Sequence, residues 1–376
     1  MSDSSCLTGG RIMLIDRIES YFKDQVCVVK LTSSDGAVGY GQTAPFMADI
    51  TQIVLHRQVA PLALGHADDD FTLSDTLLRA LHKFTGSYVC RAIAGIDTAL
   101  WDLKGRRENK SVAEMLGATR THVEMYYSSM IRDCPVAWET ERIARLKKER
   151  GYRAFKLHVG EWNSEGKDYW PGRTEDMIQA AADILQGDGE IYVDPNGAFS
   201  HDWAMKLAPM MRDCGVTILE EPLPFWKIAE TARLRKEISP YGILMAGGEQ
   251  DYNPNAWDLI LSTPMADIVQ PDICYIGGFT RTLEMAERAA AKGLYTTPHT
   301  SNRSMLLHFG LHLNASIAKP WVSLEHGVED DHWAQEMFTE ELPVIDGKIR
   351  VPEGPGWGAK LSEDWLKSAL YCESHR

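Results

Sequence analysis

Two segments, IYVDPNG (191–197) and TILEEP (217–222), show the pattern that decides the fold: a short apolar stretch that ends in carboxylates. A stretch of about 15 to 20 residues compatible with a helix follows each segment, and the unit repeats from residue 123 onward. The segments, in chain order, are VEMYYSS, AFKLHVG, IYVDPNG, TILEEP, ILMAGGEQ, DIVQPDI, LYTTPHTS and WVSLEHG. Because eight repeated βα units close into one barrel, the sequence predicts an α/β fold of the (β/α)₈, or TIM-barrel, type.

The residues before the repeat predict a separate α+β unit. A turn signal at 33–36 (SSDG) separates two stretches that favour strands, and the segment at 95–106 spaces its apolar residues as a helix does. The predicted elements are strands at 12–21, 26–32 and 37–43 and helices between Ile50 and about Leu116. The predicted domains are an N-terminal α+β capping domain at 1–122, the barrel at 123–345, and a C-terminal segment at 346–376 that packs back on the capping domain.

Composition excludes several classes of partner. The formal net charge is −14, and no basic run is dense enough to follow a phosphate backbone. No apolar stretch approaches the roughly 18 residues of a membrane span. The polar N-terminus, MSDSSCLTGG, has no secretory pattern. We therefore expect a cytoplasmic protein that binds neither nucleic acid nor membrane.

The cysteines predict no covalent framework. Seven of them, at positions 6, 27, 90, 134, 214, 274 and 372, are scattered and never spaced as Cys-x-x-Cys. This spacing is typical of neither a disulfide scaffold nor a structural zinc site. We expect reduced thiols in the core.

Three predicted strands end in a carboxylate that would point into the barrel mouth: Asp194 in VDPNG, Glu220 in LEEP and Glu249 in GGEQ. Barrel enzymes keep their active sites at this end of the strands. Three carboxylates at one point repel one another and take up protons unless a cation compensates them. Oxygen ligands favour a hard ion, so the sequence predicts a Mg²⁺ site, with Mn²⁺ as the substitute. Glu221 is expected to point away by strand alternation.

Other strand ends carry candidate acid and base groups. Lys156 and His158 lie two residues apart, so both face the barrel interior, and the lysine is expected to keep the histidine neutral as a general base. Asp272 and His299 end the sixth and seventh strands and are expected to form a dyad in which the carboxylate fixes the imidazole tautomer. Glu325 on the eighth strand either donates to a developing oxyanion, if protonated, or pairs with a cation at the rim.

Polar residues near the same strand ends indicate a polyhydroxylated substrate. Asn196 is expected to orient Asp194, to supply a left-handed turn, or both. Asn302 after the seventh strand, with Tyr21 and Lys23 from the capping domain, completes the predicted substrate-binding set. Such groups suit hydroxyl-rich ligands better than aromatic ones.

Taken in order, these residues resemble the enolase superfamily, specifically its mandelate racemase subgroup, over nearly the whole chain. AIAGIDTALWDLKGR (92–106) resembles the subgroup's capping-domain helix, and GQTAPF (41–46) lies where its second specificity loop is found. The residues that carry the resemblance are Lys156, His158, Asp194, Glu220, Glu249, Asp272, His299 and Glu325. The resemblance implies an essential Mg²⁺ that binds a substrate carboxylate, and removal of the α-proton to give a metal-stabilised enediolate.

The sequence departs from the subgroup's pattern at two places. His158 replaces the second lysine of a Lys-x-Lys pair, so the histidine becomes the base on this strand and Lys156 its electrostatic neighbour. The first specificity loop is shortened to SYFKDQ (20–25). The pocket is therefore expected to be shallow on that side, or to be completed by another part of the protein or by a partner subunit. We expect a homo-oligomer.

The resemblance implies a Mg²⁺-dependent enzyme that acts on a small carboxylate. If His158 removes the α-proton and His299 protonates the leaving β-hydroxyl, an aldonate or aldarate is dehydrated to a 2-keto-3-deoxy acid. If His299 instead returns a proton to the α-carbon, the outcome is racemisation or epimerisation, and lactone cycloisomerisation is a further alternative. Outside the superfamily, the alternatives are a phosphate-binding barrel isomerase or aldolase and a non-catalytic binding protein. We predict a sugar-acid dehydratase, which is a carbon–oxygen lyase.

Overall fold

Two sheets organise the computed structural model, which describes residues 12–84, 86–162 and 164–376. The first sheet begins with the strands β1 (Ile15–Lys23), β2 (Val26–Ser33) and β3 (Val38–Gln42). They form the predicted antiparallel meander, in which β1 pairs with β2 and β2 with β3. The helices that follow are α1 (Ala48–Val54), α2 (Ala60–Ala63), α3 (Leu73–Ala80), α4 (Ser87–Glu108) and α5 (Val112–Met115), with a π-helical turn at Leu55–Val59.

Helix α4 packs across this sheet because small residues let the two backbones approach closely. A Cβ added at Gly41 of β3 would lie 2.4 Å from Thr98 Oγ1 of α4, so only glycine fits there. Ile96 and Leu100 of α4 are buried in one apolar cluster with residues of β1, β2 and α3. The helix predicted at 92–106 is therefore the central helix of the capping unit.

The second sheet is the predicted barrel, and all eight predicted strands are present. They are β4 (His122–Ser128), β5 (Ala154–His158), β6 (Glu190–Asp194), β7 (Val216–Glu220), β8 (Leu244–Gly247), β9 (Ile268–Val269), β10 (Tyr295–Thr296) and β11 (Ser323–Gly327). Neighbouring strands are parallel, in the order β10-β9-β8-β7-β6-β5-β4-β11. A parallel bridge between Thr296 and Pro320 closes the ring. The predicted fold class is confirmed.

A helix follows each of the first seven barrel strands, as the repeat predicts. These helices are α6 (Val136–Arg150), α7 (Arg173–Leu185), α8 (His201–Asp213), α9 (Ile228–Ile238), α10 (Pro254–Ser262), α11 (Phe279–Ala291) and α12 (Met305–Ser316), with a 3₁₀ turn at Ser239–Tyr241. The elements after β11 are α13 (His332–Gln335), β12 (Lys348–Arg350), α14 (Glu363–Ser368) and β13 (Leu370–His375). In the described part of the chain, no helix is both long and apolar enough to cross a membrane.

The C-terminal segment divides between the two units. Strand β13 pairs antiparallel with β1 and becomes the fourth strand of the capping sheet. Strand β12, by contrast, pairs antiparallel with the start of β4, where Lys348 lies opposite Glu124. There β4 has no partner in β5, because their pairing begins only at Tyr127. The expectation that residues 346–376 pack on the capping domain is therefore wrong for β12, and the predicted domain boundaries stay predictions.

Strand alternation places apolar side chains directly beneath the polar ones in the barrel. Ala154, Tyr192 and Ile218 belong to one buried interior cluster, and each precedes a predicted site residue by two positions. Since side chains two residues apart share one face of a strand, the site residues stand on this apolar layer. The layer confines the polar groups to the carboxyl ends of the strands.

The capping unit is joined to the barrel by buried carboxylates of α4. Asp97 Oδ2 accepts a hydrogen bond from the backbone N–H of Thr280 at 3.1 Å. A Cβ at Gly278, whose φ is +125°, would lie 2.4 Å from that oxygen, so only glycine fits at this contact. Asp102 Oδ1 accepts from the N–H of Trp357 at 3.0 Å. These bonds fix the capping unit over the barrel.

Six cysteines lie in the described part of the chain, and all are free thiols. Cys27, Cys90, Cys134 and Cys274 are buried, as predicted. The expectation of core thiols is wrong for the half-buried Cys214 and for Cys372, because Cys372 lies on β13, an edge strand whose side chains are largely exposed. Cys6 lies outside the described residues.

Buried histidines predict that acid destabilises the protein. Burial lowers the pKa of His308 to about 3, of His312 to about 4 and of His326 to about 3. The unfolded chain binds these protons near a pKa of about 6.5, so stability is complete above that pH and is lost as the pH falls toward the folded-state values. Each histidine should cost about 1.4 kcal/mol per pH unit in this window. Thermal midpoints followed by circular dichroism from pH 8 to pH 4.5 measure the decline.

His308→Leu isolates one of these groups, because His308 Nδ1 has no hydrogen-bond partner among the described residues. The variant should match the wild type at pH 8 and exceed its stability by about 2 kcal/mol at pH 5. His332→Leu, at an exposed side chain, is the matched control and should change neither value. Equal pH profiles for His308→Leu and the wild type would contradict the assignment.

Candidate active site

Lys156 is the centre of the site at the carboxyl ends of the barrel strands. Its Nζ lies 2.6 Å from Glu220 Oε1, 2.8 Å from Glu325 Oε1 and 3.2 Å from Asp194 Oδ2. Burial alone would lower the pKa of Lys156, but the charges of Glu220 and Glu325 hold it well above its ordinary value. The lysine is therefore a buried cation shared by three carboxylates.

The three predicted metal ligands lie in or beside this cluster. Asp194 and Glu220 contact the lysine ammonium. Glu249, just after β8, accepts hydrogen bonds from Asn196 Nδ2 at 3.3 Å and from Gln250 Nε2 at 2.9 Å. Across residues 12–84, 86–162 and 164–376, no three His, Cys, Asp or Glu side chains are already gathered around one point as the ligands of a metal ion are. Protein donors hold these carboxylates instead.

The charge balance of the site nevertheless fits a divalent cation. The carboxylates buried there are Asp194, Glu220, Glu221, Glu249, Asp272 and Glu325. Lys156 and Arg132 supply two fixed positive charges to the same cavity. Burial, followed by the charges of Asp194 and Glu325, raises the pKa of Glu220 well above its ordinary value although Lys156 opposes this. A carboxylate cluster that takes up protons for lack of positive charge has the oxygen donors that suit Mg²⁺.

His158 lines the cavity beside Lys156, on the face of β5 that the sequence predicts. Its Nδ1 is hydrogen-bonded to the carbonyl oxygen of Ser129, and its Nε2 lies 3.0 Å from Asp194 Oδ2. Because a carbonyl only accepts hydrogen bonds, Nδ1 carries the proton of this pair. Nε2 is therefore the atom of His158 that can exchange a proton with a ligand.

The structure brings Asp272 and His299 together. His299 Nδ1 donates to Asp272 Oδ2 at 2.8 Å, and Asp272 Oδ1 accepts from the backbone N–H groups of Cys274 and Tyr275 at 2.7 and 2.9 Å. Burial alone would lower the pKa of His299, but Glu249 and the bond to Asp272 hold it well above its ordinary value. His299 Nε2, 3.7 Å from Glu249 Oε2, is the proton-bearing atom that faces the cavity.

Of the two roles considered for Glu325, the geometry favours the ion pair. Its Oε1 accepts from Ser128 Oγ at 2.8 Å and contacts Lys156, while its Oε2 accepts from the N–H of Thr300 at 2.9 Å. Burial alone would raise the pKa of Glu325, but Lys156 and His299 lower it to about 2. The carboxyl is ionised at neutral pH, so it accepts hydrogen bonds rather than donating one.

Asn196 has both of the roles considered for it. Its φ is +47°, in the left-handed region, and its backbone N–H donates to Asp194 Oδ1 at 2.8 Å. Its side chain, however, orients Glu249 rather than Asp194. Glu221 does not line the cavity that Asn196 and Glu249 line, and its Oε1 accepts from the N–H of Gly248 at 3.3 Å.

One cavity of about 370 Å³ is lined by Lys156, His158, Asp194, Asn196, Glu249 and His299, and Asn302 lines it as well. Glu220, Asp272 and Glu325 are not among its lining residues. Tyr21 and Lys23 are not among its lining residues. Tyr21 donates to Glu19 at 3.3 Å, and Lys23 pairs with Glu336 at 3.7 Å. The predicted loop at 20–25 is the end of β1 and the tight turn to β2, so neither residue lines this cavity, and their substrate role stays a prediction.

The cavity is covered by the chain itself. Phe46, from the GQTAPF segment, and Trp333 of α13 both line it, and their ring centroids are 5.9 Å apart. The expectation that another part of the protein completes the pocket is met by α13. Sequence reasoning missed Trp333, Trp162 and Arg132. Trp162 and Arg132 lie in loops after barrel strands, where no periodicity fixes the direction of a side chain. Trp333 lies on α13, a helix of four residues that is too short for a periodic pattern.

Two family models match the chain. The model described as Enolase C-terminal domain-like matches residues 139–365, and the model described as Mandelate racemase / muconate lactonizing enzyme, N-terminal domain, matches residues 17–117. Arabinonate dehydratase of Saccharolobus solfataricus is 25% identical over 364 residues, which cover 93% of this chain and 91% of that protein. L-talarate/galactarate dehydratase of Salmonella typhimurium is 27% identical over 380 residues, which cover 99% and 88%. These relatives support an enzyme of the hydro-lyase class.

Solved structures agree with this assignment. A crystal structure from Roseobacter denitrificans, of a protein provisionally named a racemase, has a TM-score of 0.94 and 39% identity, covering 96% of this chain and 100% of that one. A mandelate racemase/muconate lactonizing protein from Paracoccus denitrificans, complexed with magnesium, has a TM-score of 0.86 and 26% identity, covering 96% and 99%. The resemblance found in the sequence is confirmed.

Replacing Lys156 with methionine should destabilise the chelated protein, because three buried carboxylates then lose their shared cation. We expect a loss of about 3–5 kcal/mol in the free energy of unfolding at pH 8. The unpaired carboxylates acquire folded-state pKa values above their unfolded ones, so they regain stability as the pH falls and they bind protons. The difference in thermal midpoint between the variant and the wild type should therefore decrease from pH 8 to pH 5.

Lys147→Met is the matched control, since Lys147 pairs at the surface with a largely exposed Asp188. It should cost about 1 kcal/mol or less at either pH. If Lys156→Met proved as stable as Lys147→Met at pH 8, the buried cluster would not depend on the ammonium.

Proposed function

Because the chain belongs to the mandelate racemase/muconate lactonizing enzyme family of the enolase superfamily, we propose that it dehydrates a sugar acid to a 2-keto-3-deoxy acid. The observation that carries this proposal is a pair of histidines, His158 and His299, that line one cavity from different strands. Each fixes its Nδ1 on a protein oxygen and turns Nε2 toward the cavity. Dehydration needs one group that removes a proton and another that delivers one.

Asp194, Glu220 and Glu249 would hold a Mg²⁺ ion, with Mn²⁺ as the expected substitute. The support is the chemistry of the donors: three buried carboxylates in a cluster whose negative charge exceeds the charge of Lys156 and Arg132. When bound, the ion supplies a Lewis acid that neutralises a substrate carboxylate and makes the α-proton easier to remove. Lys156, held cationic by its neighbours, adds a second positive charge close to that carboxylate.

His158 is the proposed base. Its Nδ1–H is held by the Ser129 carbonyl, so Nε2, which lies 3.0 Å from Asp194 Oδ2, is the nitrogen that would take the α-proton of the substrate. The electron pair left on the α-carbon is delocalised into the substrate carboxylate as an enediolate. The positive charge that His158 gains is stabilised by Asp194, whose Oδ2 lies 3.0 Å from Nε2.

His299 is the proposed acid. Asp272 accepts the Nδ1–H of His299 at 2.8 Å and so leaves the Nε2 proton to face the ligand. Transfer of that proton to the β-hydroxyl lets it depart as water while the enediolate electrons form the α,β double bond. The resulting enol becomes the 2-keto-3-deoxy acid by tautomerisation.

Racemisation or epimerisation is the second candidate, in which His299 returns its proton to the α-carbon instead. The observation that favours it is the 39% identical Roseobacter denitrificans structure, whose protein is provisionally named a racemase. Lactone cycloisomerisation uses the same α-proton chemistry and stays an alternative. The fate of the proton on His299 separates these reactions.

Chelation should abolish activity, and Mg²⁺ or Mn²⁺ but not Ca²⁺ should restore it, since Ca²⁺ prefers more ligands at longer distances. Mg²⁺ should also raise the thermal midpoint of the wild type but not of Glu249→Gln, because an ion that binds only the folded state stabilises it. Glu363→Gln, at an exposed carboxylate, is the control and should respond like the wild type. Undiminished turnover after exhaustive chelation would remove the metal from the mechanism.

The two histidines should fail differently when replaced by asparagine. His299→Asn should still exchange the substrate α-proton with solvent in D₂O but should release no keto acid. His158→Asn should lose both exchange and turnover, a barrier increase of about 3 kcal/mol or more if base catalysis contributes roughly 10² to 10⁴ in rate. Proton NMR of the substrate follows both outcomes in one sample.

His332→Asn, at an exposed histidine, is the control for these variants. Loss of exchange in His299→Asn with retention in His158→Asn would reverse the assignment of acid and base. If the native enzyme gave deuterated starting material and its C2 epimer but no keto acid, the protein would be an epimerase and the dehydratase proposal would be wrong.

A further inference from the structure

Arg132 is a buried cation on the wall of the active-site cavity. It follows β4 by four residues, and only 5% of its surface is exposed. Its Nη1 donates to the carbonyl oxygens of Val159 at 3.0 Å and Pro195 at 3.2 Å, and its guanidinium lies 5.1 Å from the ring centroid of Trp162. Two backbone contacts and one aromatic ring therefore fix the guanidinium in place.

Within the described part of the chain, no carboxylate pairs directly with this guanidinium. Among the described residues, no carboxylate oxygen lies within 4.0 Å of its nitrogens, and Nε and Nη2 donate no hydrogen bond. Arg142, which is similarly buried, instead bonds both Glu139 and Glu329. Burial lowers the pKa of Arg132 although the charges of Asp194 and Glu249 oppose this, so the nearby carboxylates do not fully compensate the buried guanidinium. Buried arginines are almost always paired, so a ligand is the missing partner.

The other fixed cation of the cavity, Lys156, is already occupied. Lys156 is shared by three carboxylates. Glu329, across the cavity, is neutralised by Arg142 and accepts the N–H of Met130. Two donors of the Arg132 fork thus stay available for an anion, and an arginine fork matches a carboxylate with two parallel hydrogen bonds.

We infer that Arg132 binds a second carboxylate of the substrate, so that the enzyme acts on aldarates, which carry a carboxylate at each end, rather than on aldonates. This inference rests on the proposed function. In that proposal the first carboxylate of the substrate lies beside Lys156 and the ion that Asp194, Glu220 and Glu249 would hold. A cavity of about 370 Å³ lies within the range of pockets that enclose whole small-molecule ligands. Arg132 is in this account a specificity-determining residue and takes no part in proton transfer.

A matched pair of acids tests the inference: galactarate and galactonate, which differ only in the group at the far end. Both are titrated with Mg²⁺ by calorimetry into His299→Asn protein, in which the substrate is not consumed. The aldarate should bind at least about tenfold more tightly than the aldonate. Adding Arg132→Gln should weaken aldarate binding by about 100-fold and aldonate binding by about threefold or less. Arg233→Gln, at an exposed arginine, should change neither affinity.

Arg132→Lys is a second variant, which keeps the test valid if Arg132→Gln does not fold. It keeps the charge but loses the fork, so its aldarate affinity should lie between those of wild type and Arg132→Gln. With His299 intact, it should raise KM for galactarate and leave kcat for both acids nearly unchanged, whereas a purely structural lesion would lower kcat on both.

Two outcomes overturn the inference. The first is equal affinity of the Arg132-containing protein for the two acids, and the second is an equal loss of both affinities in Arg132→Gln, which would assign Arg132 to the shared carboxylate. The proposed function is tested separately by turnover. Suppose that galactarate binds more tightly in an Arg132-dependent way, but that the enzyme with His299 intact releases no keto acid. This result would uphold the role of Arg132 in binding the aldarate and would overturn the dehydratase.

Discussion

One buried ammonium, that of Lys156, is the constraint on which the site depends. It contacts Asp194, Glu220 and Glu325, which lie on three different strands, within 3.2 Å. An isolated charge of either sign would be very costly at this depth, and the contacts are favourable only if all partners arrive together. The register of β5 against β6, β7 and β11 is therefore tied to the chemistry. A shift of one residue would turn these side chains out of the barrel and replace them with apolar ones.

The position of the capping unit on the barrel is also fixed by buried polar contacts, and it determines where Phe46 lies over the cavity. Helix α4 reaches the barrel through Asp97 and Asp102, whose carboxylates accept backbone N–H groups of Thr280 and Trp357. Because these acceptors are buried, any displacement of α4 would leave donors unsatisfied on the barrel side. The position of Phe46 over the cavity follows from this docking, since the same unit carries it against Trp333.

Local patterns were enough to predict the barrel and its polar strand ends, and they failed where long-range pairing decides. The strands ending at Asp194 and Glu220 could be predicted because alternation and chain order place these residues without knowledge of any contact. Tyr21 and Lys23 lie outside the cavity lining because β1 is held by β13, from the far end of the chain, as well as by β2. A stretch of polar residues such as SYFKDQ gives no local sign of such a partner.

Arg132 illustrates a second limit. It stands beyond the end of β4, where strand periodicity no longer assigns a direction, and the carbonyls of Val159 and Pro195 with the ring of Trp162 fix its orientation. The sequence shows that the arginine is present. Whether a carboxylate pairs with it depends on tertiary contacts, which the sequence does not show. The residues that determine substrate specificity in this chain are therefore harder to predict from the sequence than the proposed metal ligands are.

The two histidines show how one residue type can be given opposite tasks. His158 places Nδ1 on a neutral carbonyl, whereas His299 places Nδ1 on the carboxylate of Asp272. A neutral acceptor fixes the tautomer without adding negative charge on that side of the ring, and the carboxylate that His158 contacts, Asp194, lies at Nε2 instead. A carboxylate at Nδ1, as in His299, fixes the same tautomer and also stabilises the imidazolium, the form that delivers a proton. In the proposed reaction the two rings thus differ in which nitrogen faces a carboxylate. The same difference explains why the spacing of Asp272 and His299 could be recognised in sequence, since a carboxylate is visible there, while the carbonyl that orients His158 could not.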